Sequence, residues 1–419
     1  MNRIAKAALF LTAGLMPFAA QAADQVTINW ALWDWDATAY YQPVIDAFEA
    51  KYPDIKVDHT DLGSSDYSTM LMTQLSGGGS DLDVVQIKDI PGYANLIKSN
   101  SLLDLSSYIK EAGINTDDFG GLIEELTVDS GLYGLPFRSD VWILYYNKAL
   151  FDKAGHAYPT NDMTWDDYAK IAREMTSGMG ANKVYGAHFH TWRSTVQMPC
   201  ILDGKYSLDG GEYDFLKVCY DRVLGLQNDK AIRSYAALKT SSTHYSGPFY
   251  NGEIAMMHMG SWFIGTQIAK VESGESLAKD WGIASFPHPE GVKPGTTAAT
   301  ITSVGVSANS KHKEAALKFV DFISSAEGAK AIASTGTLPA MKTDDVLSII
   351  TSKEGFPQDE TSKAALKTVK GYLEMPVNLK AAKMEVILNR AHDAIMTDNI
   401  SIEEGIKEMN EGVQAIINE

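Results

Sequence analysis

Trp262 follows Gly260-Ser261, and that pair follows an apolar run over residues 254–259. Such a run reads as a strand buried on both faces, with the glycine and serine turning the chain at its carboxyl end. In open α/β sheets solutes sit outside those strand ends. A tryptophan there offers a flat apolar face beside free backbone donors. It would serve equally as a core tryptophan capping a helix. Other residues of matching chemistry stand in loops: Trp33, Asp34, Trp35 and Asp36, then Asp66, Lys88 and Asp89, then Arg138, Asp140 and Arg193. Indole rings pack on the C–H faces of sugars, and carboxylates and guanidinium groups make paired hydrogen bonds to neighbouring hydroxyls. Most loop charges are merely solvated. Position separates Asp34, Asp36, Lys88, Asp89 and Trp262 from them, since each comes just after a predicted strand.

Competing chemistries find less support. His188 and His190 would share one face of a strand over 185–192, as metal ligands can, but no third ligand stands at useful spacing. No metal site is read, and no cofactor. The triple glycine at 77–79 follows a helix instead of opening one and lacks the G-x-x-x-x-G-K-[ST] pattern, so it is a connector. The motifs H-E-x-x-H, G-x-S-x-G and G-x-G-x-x-G are absent. A secreted glycosidase needs two carboxylates across the scissile bond, and the abundance of acids leaves that rival open. An anionic solute is also open, because Arg138, Arg193 and Lys88 offer positive charge.

Composition narrows the class. Acids outnumber bases 53 to 36, for a formal net charge of −17. Nucleic acid and anionic lipid both demand a basic face, so neither is a partner. Residues 1–22 read as a secretory signal: Arg3 and Lys6, an apolar stretch over 7–19, and the A-x-A site Ala20-Gln21-Ala22. A soluble, exported, monomeric protein is expected. Cys200 and Cys219, the only cysteines, either pair in an oxidising compartment or stay as buried thiols.

The elements that must hold these residues follow from periodicity. Residues 26–32 read as a strand. Next comes a helix with Tyr41, Val44, Ile45, Phe48 and Tyr52 on one face, and a strand from Ile55. A helix over 67–75 and a strand over 83–87 carry Lys88-Asp89 at the carboxyl end. Thr164 with Asp167, and Ser401 with Glu404, read as helix caps. The chain after residue 339 reads as helical. There Met384, Leu388, Ala391 and Ile395 form one buried stripe, and Ile402, Ile406, Met409, Val413 and Ile417 another.

Several stretches resemble one family. Phe249, Gly252, Ile254, Ala255, Met256, Gly260 and Trp262 match the F-x-x-G-x-A-A-M-x-x-x-G-x-W segment of bacterial extracellular solute-binding proteins of the carbohydrate-uptake type, relatives of maltose-binding protein. Phe48-Glu49, Tyr52-Pro53, Ile55 and Val57 resemble the family's opening. Gly134, Pro136, Tyr146, Asn147 and Phe151 resemble its first interlobe crossing. The resemblance implies a two-lobe α/β fold of the type II periplasmic-binding-protein class, with open mixed sheets flanked by helices. It implies an N-terminal lobe of 23–136 and 294–326 and a C-terminal lobe of 137–293 and 327–419. The chain would cross three times, near 136–138, 288–294 and 325–336, to make a hinge.

The function it implies is the periplasmic substrate-binding component of an ABC importer. Such a protein captures a sugar, short oligosaccharide or polyol between its lobes and hands it to inner-membrane permease subunits, without catalysis. Matched residue by residue, Trp262 is the stacking tryptophan, with Gly260 in the same motif. Asp140 stands where an acidic ligand residue is common, Lys88 and Asp89 in a site region, and Trp35 and Asp36 in the opening loop. His190, Trp192 and Arg193 are further candidates, and Asp66, Arg138 and Ser303 complete the set. Many relatives carry a Gly-Gly-Trp-like turn where Thr300-Ile301-Thr302-Ser303 stands here, which leaves the exact sugar open.

Overall fold

A computed structural model describes residues 25–77, 81–119 and 121–419; the signal segment 1–22 and the glycines 78 and 79 lie outside them. Among the described residues are nine strands: β1 (Val26–Leu32), β2 (Ile55–Asp61), β3 (Val84–Ile87), β4 (Leu135–Asn147), β5 (Tyr185–His188), β6 (Ile254–Gly260), β7 (Trp281–Ser285), β8 (Thr296–Val306) and β9 (Lys370–Leu373). They pair in the order β2-β1-β3-β8-β4-β6-β5, with β7 on β4 and β9 on β8.

Two long strands join the halves of this curled sheet. In β4, residues from Leu135 to Val141 pair with β8, and residues from Trp142 onward pair with β6 and β7. β8 in turn pairs with β3 through Ser303 to Val306 and with β9 through Thr296 to Ala299. All 13 residues of β4 are buried, as are all seven of β6. That is why β6 reads as an apolar run instead of an alternating one, while β4 buries Arg138, Ser139 and Asp140 among its apolar residues.

Parallel pairing of β1 with β2 and β3 requires crossover helices, and Tyr41–Lys51 and Tyr67–Ser76 supply them. Tyr41, Val44, Ile45 and Phe48 are buried on the sheet, as their spacing predicts. Both capping boxes form, Thr164 with Asp167 and Ser401 with Glu404. Cys200 and Cys219 form a disulfide, with Cα atoms 6.3 Å apart. Among the described residues no helix is long and apolar enough to cross a membrane.

Three local expectations are corrected. β9 interrupts a region read as wholly helical. It is four residues long and partly exposed, so it carries no alternating or apolar run to announce it. β5 ends at His188, and His190 lies beyond it. In the last helix, Ile402–Ile417, the buried stripe runs Ile406, Met409, Val413, Ile416, while Ile417 is exposed. Both positions fall on the stripe's flank, but Ile417 is the helix's final residue, where the packed turn gives out.

Candidate functional site

The candidate residues gather into three groups where the halves of the sheet meet. The first lies on the shared strand β4. Arg138 and Asp140 alternate along it and so project to the same face. The two are 7% and 0% exposed. Arg138 Nη2 lies 3.1 Å from Asp140 Oδ2, and Ser261 donates its hydroxyl to Asp140 Oδ1 at 2.8 Å. Arg138 also donates to the Tyr40 hydroxyl at 3.0 Å and to Thr302 Oγ1 at 3.4 Å. Burial alone would lower the guanidinium's pKa. Asp140, Tyr40 and Tyr41 outweigh it and hold Arg138 charged. Two polar atoms of the pair remain without a hydrogen bond, Arg138 Nε and Asp140 Oδ2; the latter is close to the guanidinium but misaligned with it.

The second group is aromatic. Trp262 stands at the N-cap of the helix Phe263–Glu272, directly after β6. Its ring is half-buried, edge-on to Trp142 at 5.8 Å and tilted against Trp192 at 6.2 Å. Trp192 packs in turn on Tyr245 and His190. Gly260 is what permits this pose. A Cβ there would fall 1.9 Å from Trp262 Cζ3, so only glycine leaves room for the indole to fold back over the strand end.

The third group is ionic and spans several elements. Arg193, 3% exposed, reaches Glu385 at 3.2 Å and Glu374 at 3.6 Å, and it donates to Gln197 Oε1 at 2.9 Å. Asp89, Glu374 and Glu385 line one cavity of about 70 Å³, together with Thr300 of β8. Asp89 caps the helix Ile90–Lys98, accepting from the Gly92 amide at 2.7 Å. The residue is exposed, but the packed cavity wall around its carboxyl and then the Glu385 carboxylate push its pKa up. Glu374 is pushed up to about 7, by burial first and then by Glu385 and Asp89, against the pull of Arg193.

The remaining candidates stand apart. Trp35 lies in a single 3-10 turn, its ring stacked on His59 at 3.7 Å and parallel to Tyr41 at 5.6 Å. Asp36 and Asp66 are exposed and make no side-chain hydrogen bond or ion pair among the described residues. Lys88 donates to the Ser64 carbonyl and sits 5.7 Å from the Trp33 ring centre. Burial lowers its pKa. Ser303 is buried within β8, opposite Ile87 and Pro136. His188 and His190 are buried with rings 5.9 Å apart, and burial lowers both pKa values. Among the described residues no three His, Cys, Asp or Glu side chains gather as a metal site would require.

Sequence reasoning passed over several residues that the fold brings in. Tyr40 and Thr302 hold Arg138, Tyr245 closes the aromatic group, and Glu374 and Glu385 face Arg193. Asp61 orders the opening loop, since it accepts from the amides of Asp34 and Trp35 at 3.1 and 2.9 Å. Asp34, with φ of 52°, is the residue that bends there. Glu385 adjoins Met384 on a helix whose apolar stripe drew the reading toward core.

The halves touch across this region. Thr266 Oγ1 on the helix after Trp262 donates to the Ala37 carbonyl at 3.2 Å, and the helices Ile90–Lys98 and Ala381–Met396 pack together.

Comparison with known proteins places this arrangement. The family model described as bacterial extracellular solute-binding protein matches residues 34–330. The chain belongs to that family. Among curated relatives, the lactose-binding protein of Rhizobium radiobacter is 26% identical over 68% of this chain and 67% of its own. The sn-glycerol-3-phosphate-binding periplasmic protein of Escherichia coli K12 is 27% identical over 70% of this chain and 69% of its own. Among solved structures, a sugar transporter from Rhizobium etli in an open conformation is 60% identical. It covers 93% of this chain and 99% of its own, with a TM-score of 0.77. A substrate-binding protein from Listeria monocytogenes in complex with cycloalternan is 23% identical over 94% of this chain and 100% of its own, with a TM-score of 0.78. This solute-binding protein thus has the type II periplasmic-binding fold, as its family segments imply.

Proposed function

We propose that this solute-binding protein captures a neutral sugar or polyol in the cleft between its lobes and delivers it, unaltered, to an ABC permease in the inner membrane. The observation that carries the neutral reading is the state of the cleft cations. Arg138 is matched by Asp140, and Arg193 by Glu374 and Glu385. Lys88 is committed to a carbonyl. An anionic solute would have to displace a carboxylate that the protein already buries, at a cost of several kcal/mol. A neutral solute asks for no such displacement.

In this reading Trp262, on its bed of Gly260, is the stacking platform, with Trp192 beside it. Arg138 and Asp140 pair with adjacent hydroxyls. Asp89, Lys88 and Arg193 line the far wall, and Trp35, Asp36, Asp66 and Ser303 belong to the rim and strand ends around it. Residues 23–136 with 294–326 form one lobe and 137–293 with 327–419 the other, so β4 runs from one into the other and pairs with β8 across the boundary. A solute touching both lobes binds the closed form better and shifts the population toward it. Residues 1–22 direct export to the periplasm.

A thermal-shift screen of the mature protein against neutral sugars, polyols, sugar acids and phosphorylated polyols tests this. A ligand at 100 times its Kd adds about 2.7 kcal/mol of stability. Neutral sugars or polyols should raise the melting temperature and be recovered intact by chromatography. Stabilisation by sn-glycerol 3-phosphate alone would refute the neutral reading, and a cleaved saccharide would refute the transport role.

A further inference from the structure

The opening loop after β1 is ordered by its own lobe and then touches the other. Asp61 accepts from the Asp34 and Trp35 amides at 3.1 and 2.9 Å. Asp34 Oδ1 accepts from the Ser64 amide at 3.2 Å, and Tyr41 donates its hydroxyl to the Trp33 carbonyl at 2.8 Å. The Trp35 ring lies on His59. All of these partners fall within residues 23–136, so the loop holds its shape whether or not the other lobe meets it.

The helix Phe263–Glu272 is as firmly seated in the second lobe. Phe263, Ile264 and Ile268 are buried, and Gln267 donates to the Ala278 carbonyl at 2.8 Å. A Cβ on Gly265 would stand 2.7 Å from the Thr335 carbonyl oxygen, so the helix backbone packs directly on that segment. Thr266 stands on this helix one turn beyond Trp262. A threonine inside a helix commonly turns its hydroxyl back to the carbonyl four residues earlier. Thr73 and Thr351 do so here, at 2.8 and 3.0 Å. Thr266 instead donates across the cleft to the Ala37 carbonyl at 3.2 Å. His244 Nε2 approaches Asp34 Oδ2 on the same loop to 4.0 Å, too far for a hydrogen bond. Thr266 therefore supplies the loop's directional contact with this helix.

We propose that Thr266 is a latch residue between the lobes: its hydroxyl leaves the Trp262 carbonyl for the Ala37 carbonyl as the cleft shuts, and so holds the closed form from outside the solute site. The inference rests on the two-lobe reading above and concerns closure of the same cleft.

The expected effect is modest and measurable. Both partners are pre-built, so docking them orders little chain. On opening, the hydroxyl regains the Trp262 carbonyl and the Ala37 carbonyl regains water, so only the net worth of one hydrogen bond is at stake. That corresponds to about a three- to tenfold change in the ratio of closed to open molecules. A solute escapes through the open form, so the same factor should lengthen its stay, whether it is neutral or charged.

Electron–electron dipolar spectroscopy on nitroxides at Gln42→Cys and Ala269→Cys, in the solute-free mature protein, tests this. Both positions are exposed, each lies a few residues from one latch partner, and among the described residues no free cysteine competes. Two separations should appear, a short one for the closed form and a long one for the open. Thr266→Val keeps the shape and removes the donor, and should lower the short-to-long ratio about three- to tenfold. Thr266→Ser keeps the hydroxyl and should hold the parent ratio, with circular dichroism confirming the fold of each variant. A single separation in the parent, an unchanged ratio in Thr266→Val, or an equal fall in Thr266→Ser would overturn the proposal. No solute enters the measurement, so its outcome is independent of the thermal-shift screen.

Discussion

Replacing Asp140 by Asn separates what the buried pair does for folding from what it does for a solute. The amide keeps the shape and can still accept from Ser261, now 2.8 Å away, but the charge opposite Arg138 is gone. At the observed 3.1 Å the Coulomb attraction at an effective dielectric near 20 is about 5 kcal/mol. Arg138 is 7% exposed and cannot regain water by turning outward. Leaving such a charge unpaired typically costs about 3–5 kcal/mol. We therefore expect Asp140→Asn to lose roughly 3–5 kcal/mol of stability in urea denaturation followed by tryptophan fluorescence. Arg138→Met combined with Asp140→Asn should recover most of that loss, because no lone charge is then buried. A single mutant within about 1 kcal/mol of the parent would refute the reasoning, as would a double mutant no better than Asp140→Asn.

Gly260→Ala drives a methyl into the Trp262 ring, 1.9 Å from Cζ3, so it should abolish binding of the neutral saccharides found in the screen and alter the near-ultraviolet circular dichroism. Retained affinity would show that the ring's pose is not needed. Changing Cys200 and Cys219 together to Ser removes a cross-link between residues 19 apart and should cost about 3 kcal/mol in the chain-entropy model, read in the same urea experiment. His258 is fully buried, and burial lowers its pKa to about 4. Its folded value lies below the unfolded 6.5, so stability is full above about pH 6.5 and falls as pH drops toward 4. Between pH 7 and 5 this residue alone should remove about 2 kcal/mol, and a flat stability profile there would contradict its buried neutral state.

Much of the fold was legible because its signals are local. The apolar run of β6, the stripe of Tyr41, Val44, Ile45 and Phe48, and the capping pairs at Thr164 and Ser401 are each fixed by a few neighbouring residues. The site was legible only in part. Trp262 and Gly260 share one short segment, and their steric dependence is written there once the ring is known to fold back. The partners of Arg193 lie more than 180 residues away in sequence, one just past a strand too short to show a pattern and one on a helix that advertises a core stripe. Arg138 and Arg193 read as free charges for the same reason: the carboxylate that neutralises each is recognised only in three dimensions. Even Asp140, two residues from Arg138, reveals the pairing only when both are known to lie on one strand. That is why charge alone left an anionic solute open.

The central claim is that a neutral sugar stacks on Trp262 in the interlobe cleft. Isothermal titration calorimetry tests it most directly, with the strongest neutral saccharide from the screen titrated into the parent protein and into Trp262→Ala. Loss of a buried aromatic anchor costs about 2–4 kcal/mol, so the mutant should bind roughly 30- to 1000-fold more weakly while its circular dichroism stays unchanged. Equal affinity in the two proteins would contradict the account.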